Sequence, residues 1–271
     1  MLTAYLAPMR IFGQPSSPQP PLLAVAGFIG DDRQWVQGER RWRSALAKAG
    51  IEHFDMADFE DKKTPPWSEW TDQKRRAILN RLVTLTASTA LTGTAAVVAM
   101  DDYDALEEDA RHKIGSPCLL ALCACIGAFA RWCEQLQGTT ERVQYVLEGD
   151  RLGLPQYGHA LARLIGESDD FKNRMRILSI TVERTQHVPF LQMAEILAWE
   201  ATCHLPRDSR LDHPPARRSM DRLLEAVPVA AEYFDAQALR EVANQRIPER
   251  YRRAPEMNGT AMRTDRSRNG A

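Results

Sequence analysis

Long apolar runs are missing from this sequence. The longest, from Pro117 to Ala130, has 14 residues, whereas a helix needs roughly 20 apolar residues to span a bilayer. The N-terminus also lacks the basic start and the apolar stretch of a signal peptide. We therefore expect a cytoplasmic protein that makes no membrane contact, in which the segment from Pro117 forms a buried core helix.

A large net charge is missing as well. The 35 basic and 36 acidic side chains leave a formal charge of −1, so nucleic acid could be held only by a local basic patch. Basic residues concentrate at 40–43, at 74–76 and between 207 and 268. Each group can contact phosphates, although helix faces that carry both Arg and Glu are usually only solvated. The arginine excess of the tail is a mild indication of a nucleic-acid or protein partner.

The cysteines do not form a pattern typical of disulfides. They are odd in number, and four of the five lie in one apolar segment. Reduced, buried thiols are therefore expected. Zinc is a weaker alternative, because Cys123 and Cys125 lie two apart in a helix-like run without a second ligand pair nearby.

Apolar segments separated by turn residues predict the first elements of the fold. Strands are expected from Leu2 to Leu6 and over the apolar run from Leu22 to Ile29, and a loop with four prolines between them indicates a hairpin. Asp31 or Asp32 is expected to cap a helix that ends at Ala49.

The rest of the chain alternates between the two kinds of element. Further strands are predicted over 51–59, 91–100, 143–147 and 177–183, and further helices over 68–88, 117–137, 156–165 and 189–204. This order predicts an α/β fold with helices covering the faces of a sheet. We expect a domain over 1–205, a helical extension over 206–247 with short helices at 220–227 and 230–242, and a disordered tail over 248–271.

Two carboxylates at the end of a strand and one on an apolar helix are the candidate functional residues. Glu148 and Asp150 follow the strand 143–147, and Glu195 lies on the helix 189–204. Buried carboxylates are costly without a cationic partner. Mg²⁺ or Mn²⁺ held by these three acids would supply one. Pairing of the glutamates with arginines such as Arg151 or Arg184 is the alternative, and the residues taken alone favour it.

Other polar residues near these acids are expected to have structural roles. Glu200 lies about 140° from Glu195 around the helix, which predicts an outward-facing side chain. His187 is expected to cap or pack rather than to bind a ligand. His53 is expected to be a core histidine.

Several stretches together resemble a known family. They are VAGFIGDDRQW at 25–35, GERRW at 38–42, HFDMADF at 53–59, YVLEGD at 145–150 and FLQMAEILAWE at 190–200. In their order and spacing over roughly residues 2–205, the chain is similar to family 3800 of the domains of unknown function. The resemblance implies a ribonuclease H-like mixed sheet flanked by helices.

The same resemblance implies a site for two divalent cations, Mg²⁺ or Mn²⁺. Glu148 and Glu195 match the acids that the family places at the end of a later strand and on the last helix, where Asp is usual. The acid of the first strand is missing, because Ala7, Pro8 and Met9 stand where the family has a DESG-type motif. Two nearby acids, Asp55 and Asp58, are candidates to compensate.

The leading expectation is thus a protein related to metal-dependent nucleases, with Glu148 and Glu195 as the catalytic residues and with phosphodiester hydrolysis impaired or lost. Its partner would be nucleic acid. The alternative is an inactive scaffold that binds a protein or a second copy of the chain through the segment 67–70, which contains Trp67 and Trp70, and through the C-terminal extension. A weaker possibility is a hydrolase of nucleotides or other phosphoesters that uses the same acids.

Overall fold

The computed structural model describes residues 1–11, 21–135, 141–149, 161, 165–166, 168–205 and 218–244. These residues form a six-stranded sheet with helices against both faces. The strands are β1 (Leu2–Ile11), β2 (Leu22–Asp31), β3 (Thr92–Ala99), β4 (Val143–Glu148), β5 (Ile177–Glu183) and β6 (Val229–Phe234). The helices are α1 (Asp32–Ala49), α2 (Met56–Asp61), α3 (Asp72–Ala87), α4 (Met100–Asp104), α5 (Glu108–Ile114), α6 (Pro117–Gln135), α7 (Asp169–Arg174), α8 (Pro189–His204), α9 (Arg218–Ala226) and α10 (Ala236–Asn244).

The sheet is mixed, with the order β5-β4-β1-β2-β3-β6. Strand β2 runs antiparallel to both of its neighbours, β1 and β3, whereas β1–β4, β4–β5 and β3–β6 are parallel pairs. Five strands therefore point in one direction, and their carboxyl ends lie at one edge of the sheet. An α/β fold with a mixed sheet flanked by helices was predicted, and it is confirmed.

Strand β1 is twice as long as the sequence pattern predicts. Its parallel partner β4 follows it only as far as Leu6, which lies opposite Leu147, but β2 continues to pair with it as far as Ile11. Pro8 lies in this last part, where β4 no longer pairs with β1. A proline lacks the N–H of the ladder and is tolerated where a strand has a neighbour on one side only.

Two layers of helices cover the sheet. The first layer consists of α1, α2, α3, α8 and α9, which share one apolar core with the side chains of Met9 and Ala26. The second layer has α6 at its centre, together with α4, α5, α7 and α10, and packs on the opposite face, where Leu6 and Tyr145 point. Because neighbouring residues of a strand face opposite sides, these assignments fix which side chains each layer covers.

Helix α1 begins and ends where the sequence predicts. The Asp31 side chain accepts a hydrogen bond from the backbone N–H of Gln34 at 2.9 Å, and the Gln34 side chain accepts one from the backbone N–H of Asp31 at 3.3 Å. This reciprocal pair is a capping box. At the other end Gly50 has φ +78°, the left-handed conformation that terminates helices and that glycine adopts without strain.

Helix α6 is a core helix, as predicted. Ten of its residues are buried, and it packs across β2 and β3. The stretch 108–135 is long and apolar enough to cross a membrane by length and composition alone, and 56% of its most apolar window is buried in the fold. Gly115 interrupts that stretch with φ +80° and separates α5 from α6. Burial against the sheet therefore accounts for its apolar character.

The strand predicted over 51–59 is wrong. Residues 51–55 have no regular structure, and α2 follows. The Asp55 side chain accepts a hydrogen bond from the backbone N–H of Asp58 at 3.0 Å, and this N-cap starts a short helix in place of an extended chain. The apolar alternation instead reflects Phe54 and Met56, which are both buried in the first layer. His53 is exposed, so it is not the expected core histidine.

The helical extension predicted after residue 205 is also wrong in part. Its second predicted helix begins inside β6, which pairs in parallel with β3 and completes the sheet. Side chains of an edge strand are largely exposed, as Ala230, Ala231 and Glu232 are, so no apolar alternation signals it. Helices α4 and α5 were not predicted. The tail over 248–271 and most of the helix predicted over 156–165 lie outside the described residues.

Candidate functional site

The candidate site lies at the carboxyl edge of the sheet, where β4 ends with Glu148. The side chain of Glu148 is buried, with 1% of its surface exposed. Val143, Tyr145 and Leu147 of the same strand belong to the core of the second layer. By alternation, Glu148 points toward the first layer, the side on which α8 packs.

Ala7 occupies the neighbouring position on β1. The parallel register pairs Leu6 with Leu147, so continuing it by one residue places Ala7 beside Glu148, about 5 Å away between backbones. Ala7 is fully buried, and it faces the same side as Met9, which lies in the first-layer core. The position expected for the acid of the first strand is therefore next to Glu148 and is occupied by a methyl group.

Met9 lies on the same face of β1 as Ala7. Its side chain is 4% exposed and packs in the first-layer core. A serine at that position would present a hydroxyl to this core. The residues that follow Ala7 thus extend the apolar core, as an ordinary strand of a buried sheet would.

Glu195 lies on α8, the central helix of the first layer. This helix packs on β1 and β2, and thirteen of its sixteen side chains are buried. Glu195 itself has no exposed surface. The expectation that this acid is buried on an apolar helix is confirmed, and α8 lies on the face toward which Ala7 and Glu148 point.

Gln192, one turn before Glu195, holds α8 in position. Its side-chain oxygen accepts hydrogen bonds from the indole N–H of Trp42 and from the backbone N–H of Phe54, both at 3.0 Å. Its side-chain nitrogen donates to the backbone carbonyl of Thr185, also at 3.0 Å. One buried amide thus connects α8 to α1, to the segment before α2 and to the 3₁₀ turn at 185–187. The sequence pattern placed Gln192 and Glu195 on one face but did not predict this network.

Asp55 and Asp58 do not supply the missing acid in the described structure. Asp55 caps α2, and Asp58 is exposed in the first turn of that helix. Among the residues that the structure describes, no three His, Cys, Asp or Glu side chains come together in a group that could hold a metal ion. Asp150, predicted as a metal ligand, and Arg151, predicted as a possible ion-pair partner, lie outside the described residues.

Glu200 is not the outward-facing residue that was expected. Only 1% of its surface is exposed, and its carboxylate lies 3.2 Å from the Nε2 atom of His204, one turn later. Because α8 is covered by other elements along most of its length, its rotational pattern does not distinguish an inner face from an outer one. Glu200 and Glu195 are both core residues.

The tryptophans of the segment 67–70 are mostly inside the protein. Trp67 is 5% exposed and packs with Phe54 and Phe59 at ring-centroid distances of 5.6 and 5.2 Å. Trp70 is half-buried, and the Lys74 ammonium lies over its ring at 3.8 Å. Trp67 therefore belongs to the core and only Trp70 of the two is partly exposed, and the use of this segment as a partner surface stays a prediction.

Three of the four cysteines of α6, Cys118, Cys125 and Cys133, are buried, as predicted, whereas Cys123 is partly exposed. Burial raises the pKa of the Cys118 thiol to about 12, and the nearby negative charge of Glu148 adds to this effect. Burial also raises the pKa of Cys125, whose S–H donates to the backbone carbonyl of Val25 at 3.2 Å. Thiols with raised pKa values stay protonated, so they are poor metal ligands and poor nucleophiles.

His187 is exposed and packs against no core. Its backbone carbonyl accepts a hydrogen bond from Arg43 at 3.1 Å, and its ring lies 3.2 Å from the Gln186 amide.

Comparison with known proteins adds no identification, since neither a protein-family model nor a curated protein matches this chain. The class of the protein is therefore defined by its own fold. It is an α/β protein with a six-stranded mixed sheet and two buried carboxylates. Glu148 lies at the end of β4, and Glu195 lies in the first helix layer.

Proposed function

We propose that this chain is a ribonuclease H-like protein that associates with nucleic acid and in which two-metal phosphodiester hydrolysis is impaired or lost. The topology supports this proposal. Strands β5, β4, β1, β2 and β3 lie side by side in that order with β2 alone antiparallel, an arrangement that ribonuclease H-like domains have. Strand β6 then extends the sheet beyond β3.

The observation that carries the loss of hydrolysis is the position of Ala7. Two-metal hydrolysis requires carboxylates that fix both cations relative to the phosphate. In this protein the neighbour of Glu148 on β1 has only a methyl group. The described residues therefore do not fit a two-metal centre, and we derive no metal-dependent step for them.

Restoring the acid tests this proposal. In an Ala7→Asp variant the new carboxylate would lie beside Glu148, and two adjacent carboxylates repel each other unless a cation binds between them. We expect the melting temperature of Ala7→Asp to be higher in about 5 mM Mn²⁺ than in EDTA. Each kcal/mol of stabilisation by the bound cation should raise it by about 3 °C. The matched variant Ala7→Asn has the same size without the charge and should show no such rise, and neither should the wild type.

Cleavage assays complete the test. Labelled DNA and RNA incubated with the wild type and Mg²⁺ or Mn²⁺ should remain intact. Cleavage by the wild type that disappears in Glu148→Ala would overturn the proposal, and so would an equal response of Ala7→Asp and Ala7→Asn to Mn²⁺. The same assay on a nucleotide substrate tests hydrolysis of smaller phosphoesters by these acids.

A further inference from the structure

A basic cleft opens between α1 and α3 on the outside of the first layer. It has a volume of about 390 Å³, and no acidic residue of the described chain lines it. Its lining residues are Arg40, Arg41, Ser44, Ala45 and Lys48 of α1 and Arg81 of α3. Four of these six side chains are cationic, and all four are exposed.

Not every cation of these two helices is available to a ligand. Arg43 forms an ion pair with Glu39 at 2.8 Å and donates a hydrogen bond to the backbone carbonyl of His187. Arg75 is buried against the Phe59 ring, and Lys74 lies over Trp70. These three have partners inside the protein.

The cleft cations differ from that group. Within the described part of the chain, Arg40, Arg41, Lys48 and Arg81 form no ion pair and no side-chain hydrogen bond. Within the same residues Arg33 and Arg76 form none either, but both lie outside the cleft, so the cleft is distinguished by holding four such cations together. A cleft lined by charge of one sign focuses the local potential and concentrates counter-ions.

We propose that this cleft binds the phosphate backbone of a nucleic acid. Guanidinium groups match phosphate oxygens with paired donors, and lysine contributes a point charge. The cleft is open, and its charges are spread along two turns of α1, so it suits an extended chain of phosphates rather than one enclosed anion. No aromatic ring of the described residues lines it, so these residues offer backbone contacts but no stacking surface for bases.

The inference rests on the proposed function in that it takes nucleic acid as the partner, and it adds where the partner binds. Both α1 and α3 belong to the first layer, the side of the sheet that Ala7 and Glu148 face. A strand held in the cleft would therefore lie on the side of the molecule that carries the degenerate site.

The test is binding of a fluorescein-labelled single strand, as DNA and as RNA, measured by anisotropy in EDTA at several salt concentrations. The strand has about 20 nucleotides, more than the roughly 4–16 that a single-strand-binding fold covers. The variants are Arg41→Gln and Arg81→Gln. The control is Arg76→Gln, which removes the same charge from α3 at a position about 140° around the helix from Arg81 and outside the cleft.

We expect each cleft variant to weaken binding several-fold at low salt and to lower the slope of log K against log salt by about 0.7, the value for one lost phosphate contact on a single strand. Arg76→Gln should match the wild type. Equal losses in Arg76→Gln and Arg81→Gln, or no binding by the wild type at low salt, would overturn the proposal. Binding of the wild type to vesicles of anionic lipid but not to the oligonucleotides would assign the cleft to a membrane and overturn it as well.

This experiment is independent of hydrolysis because EDTA removes divalent cations. Failure of the cleft variants to weaken binding would leave the ribonuclease H-like proposal intact. Metal-dependent cleavage by the wild type would overturn that proposal but not the location of the binding cleft.

Discussion

The two helix layers that cover the sheet are built from different chemistry. The first layer contains the amide of Gln192 with its three hydrogen bonds and the buried acids Glu195 and Glu200. The core of the second layer is lined by aliphatic and aromatic side chains and protonated thiols, and it includes the buried phenol of Tyr145. Buried polar groups cost stability unless they are satisfied, so they persist where geometry must be specified. The first layer therefore positions the candidate site, and the second layer supports the sheet.

The largest effect that distinguishes the layers should come from Gln192→Leu. Leucine has a similar volume, but it leaves the Trp42 indole N–H and the Phe54 backbone N–H without a partner, whereas the Thr185 carbonyl keeps its hydrogen bond from the Val188 N–H. Unsatisfied buried groups cost about 1–3 kcal/mol each, so we expect the free energy of unfolding in urea to fall by roughly 3–5 kcal/mol.

The matched change in the second layer is Cys125→Ala. It removes only a weak hydrogen bond from the thiol to the Val25 carbonyl, and a loss of about 1 kcal/mol is expected. If both variants lose the same amount, the proposed difference between the layers is wrong.

A smaller difference should appear at alkaline pH. Burial raises the pKa of Cys118 in the second layer from 9.0 to about 12. In the first layer, burial and then the charges of Glu39 and Asp32 raise the pKa of Tyr5 from 10.0 to about 12. Both groups are neutral when protonated. Above its unfolded-state pKa each ionises only in the unfolded chain, so stability falls with rising pH by roughly 1.4 kcal/mol per unit for a fully buried group.

The contribution of Cys118 should therefore begin near pH 9, and that of Tyr5 only near pH 10. The measurement is the urea midpoint of unfolding between pH 8 and pH 11, a range of about 3 pH units that includes both unfolded-state pKa values. From pH 9 upward this midpoint should decline less steeply in Cys118→Ala than in the wild type. In Tyr5→Phe the decline should be reduced only above pH 10. A wild-type midpoint that is constant over this range would contradict the burial of both groups.

The smallest effect is expected at the surface of the first layer. Arg43 and Glu39 form an ion pair whose side chains are 55% and 41% exposed. Exposed pairs contribute about 0–1 kcal/mol, so Arg43→Gln should change the free energy of unfolding by less than about 1 kcal/mol. A larger loss would show that the hydrogen bond from Arg43 to the His187 carbonyl helps to hold the turn before α8.

Several elements could be predicted from the sequence because local signals define them. Helix α1 has a capping aspartate at one end and Gly50 at the other. The apolar strands β2 and β3 and the helices α6 and α8 are long and continuous enough to be recognised by composition. The burial of Glu148 and Glu195 followed from their positions in apolar elements.

Other features could not be predicted because they depend on distant residues. Strand β6 is extended because β3 offers it hydrogen-bonding groups, and its own side chains are mostly exposed. The segment before α2 depends on the Gln192 side chain, 138 residues after Phe54. Glu200 lies inside because further elements cover α8 on the side that rotation alone would leave to solvent.

By itself, the sequence determined the order of most of the long elements, the apolar character of the core and the absence of a carboxylate at position 7, since each depends on residue identity along the chain. Only the tertiary structure decided that Ala7 lies beside Glu148, that Gln192 joins three separate segments, and that four exposed cations of α1 and α3 lie together in an open cleft. These facts depend on register and packing between residues far apart in the chain, which local chemistry does not specify.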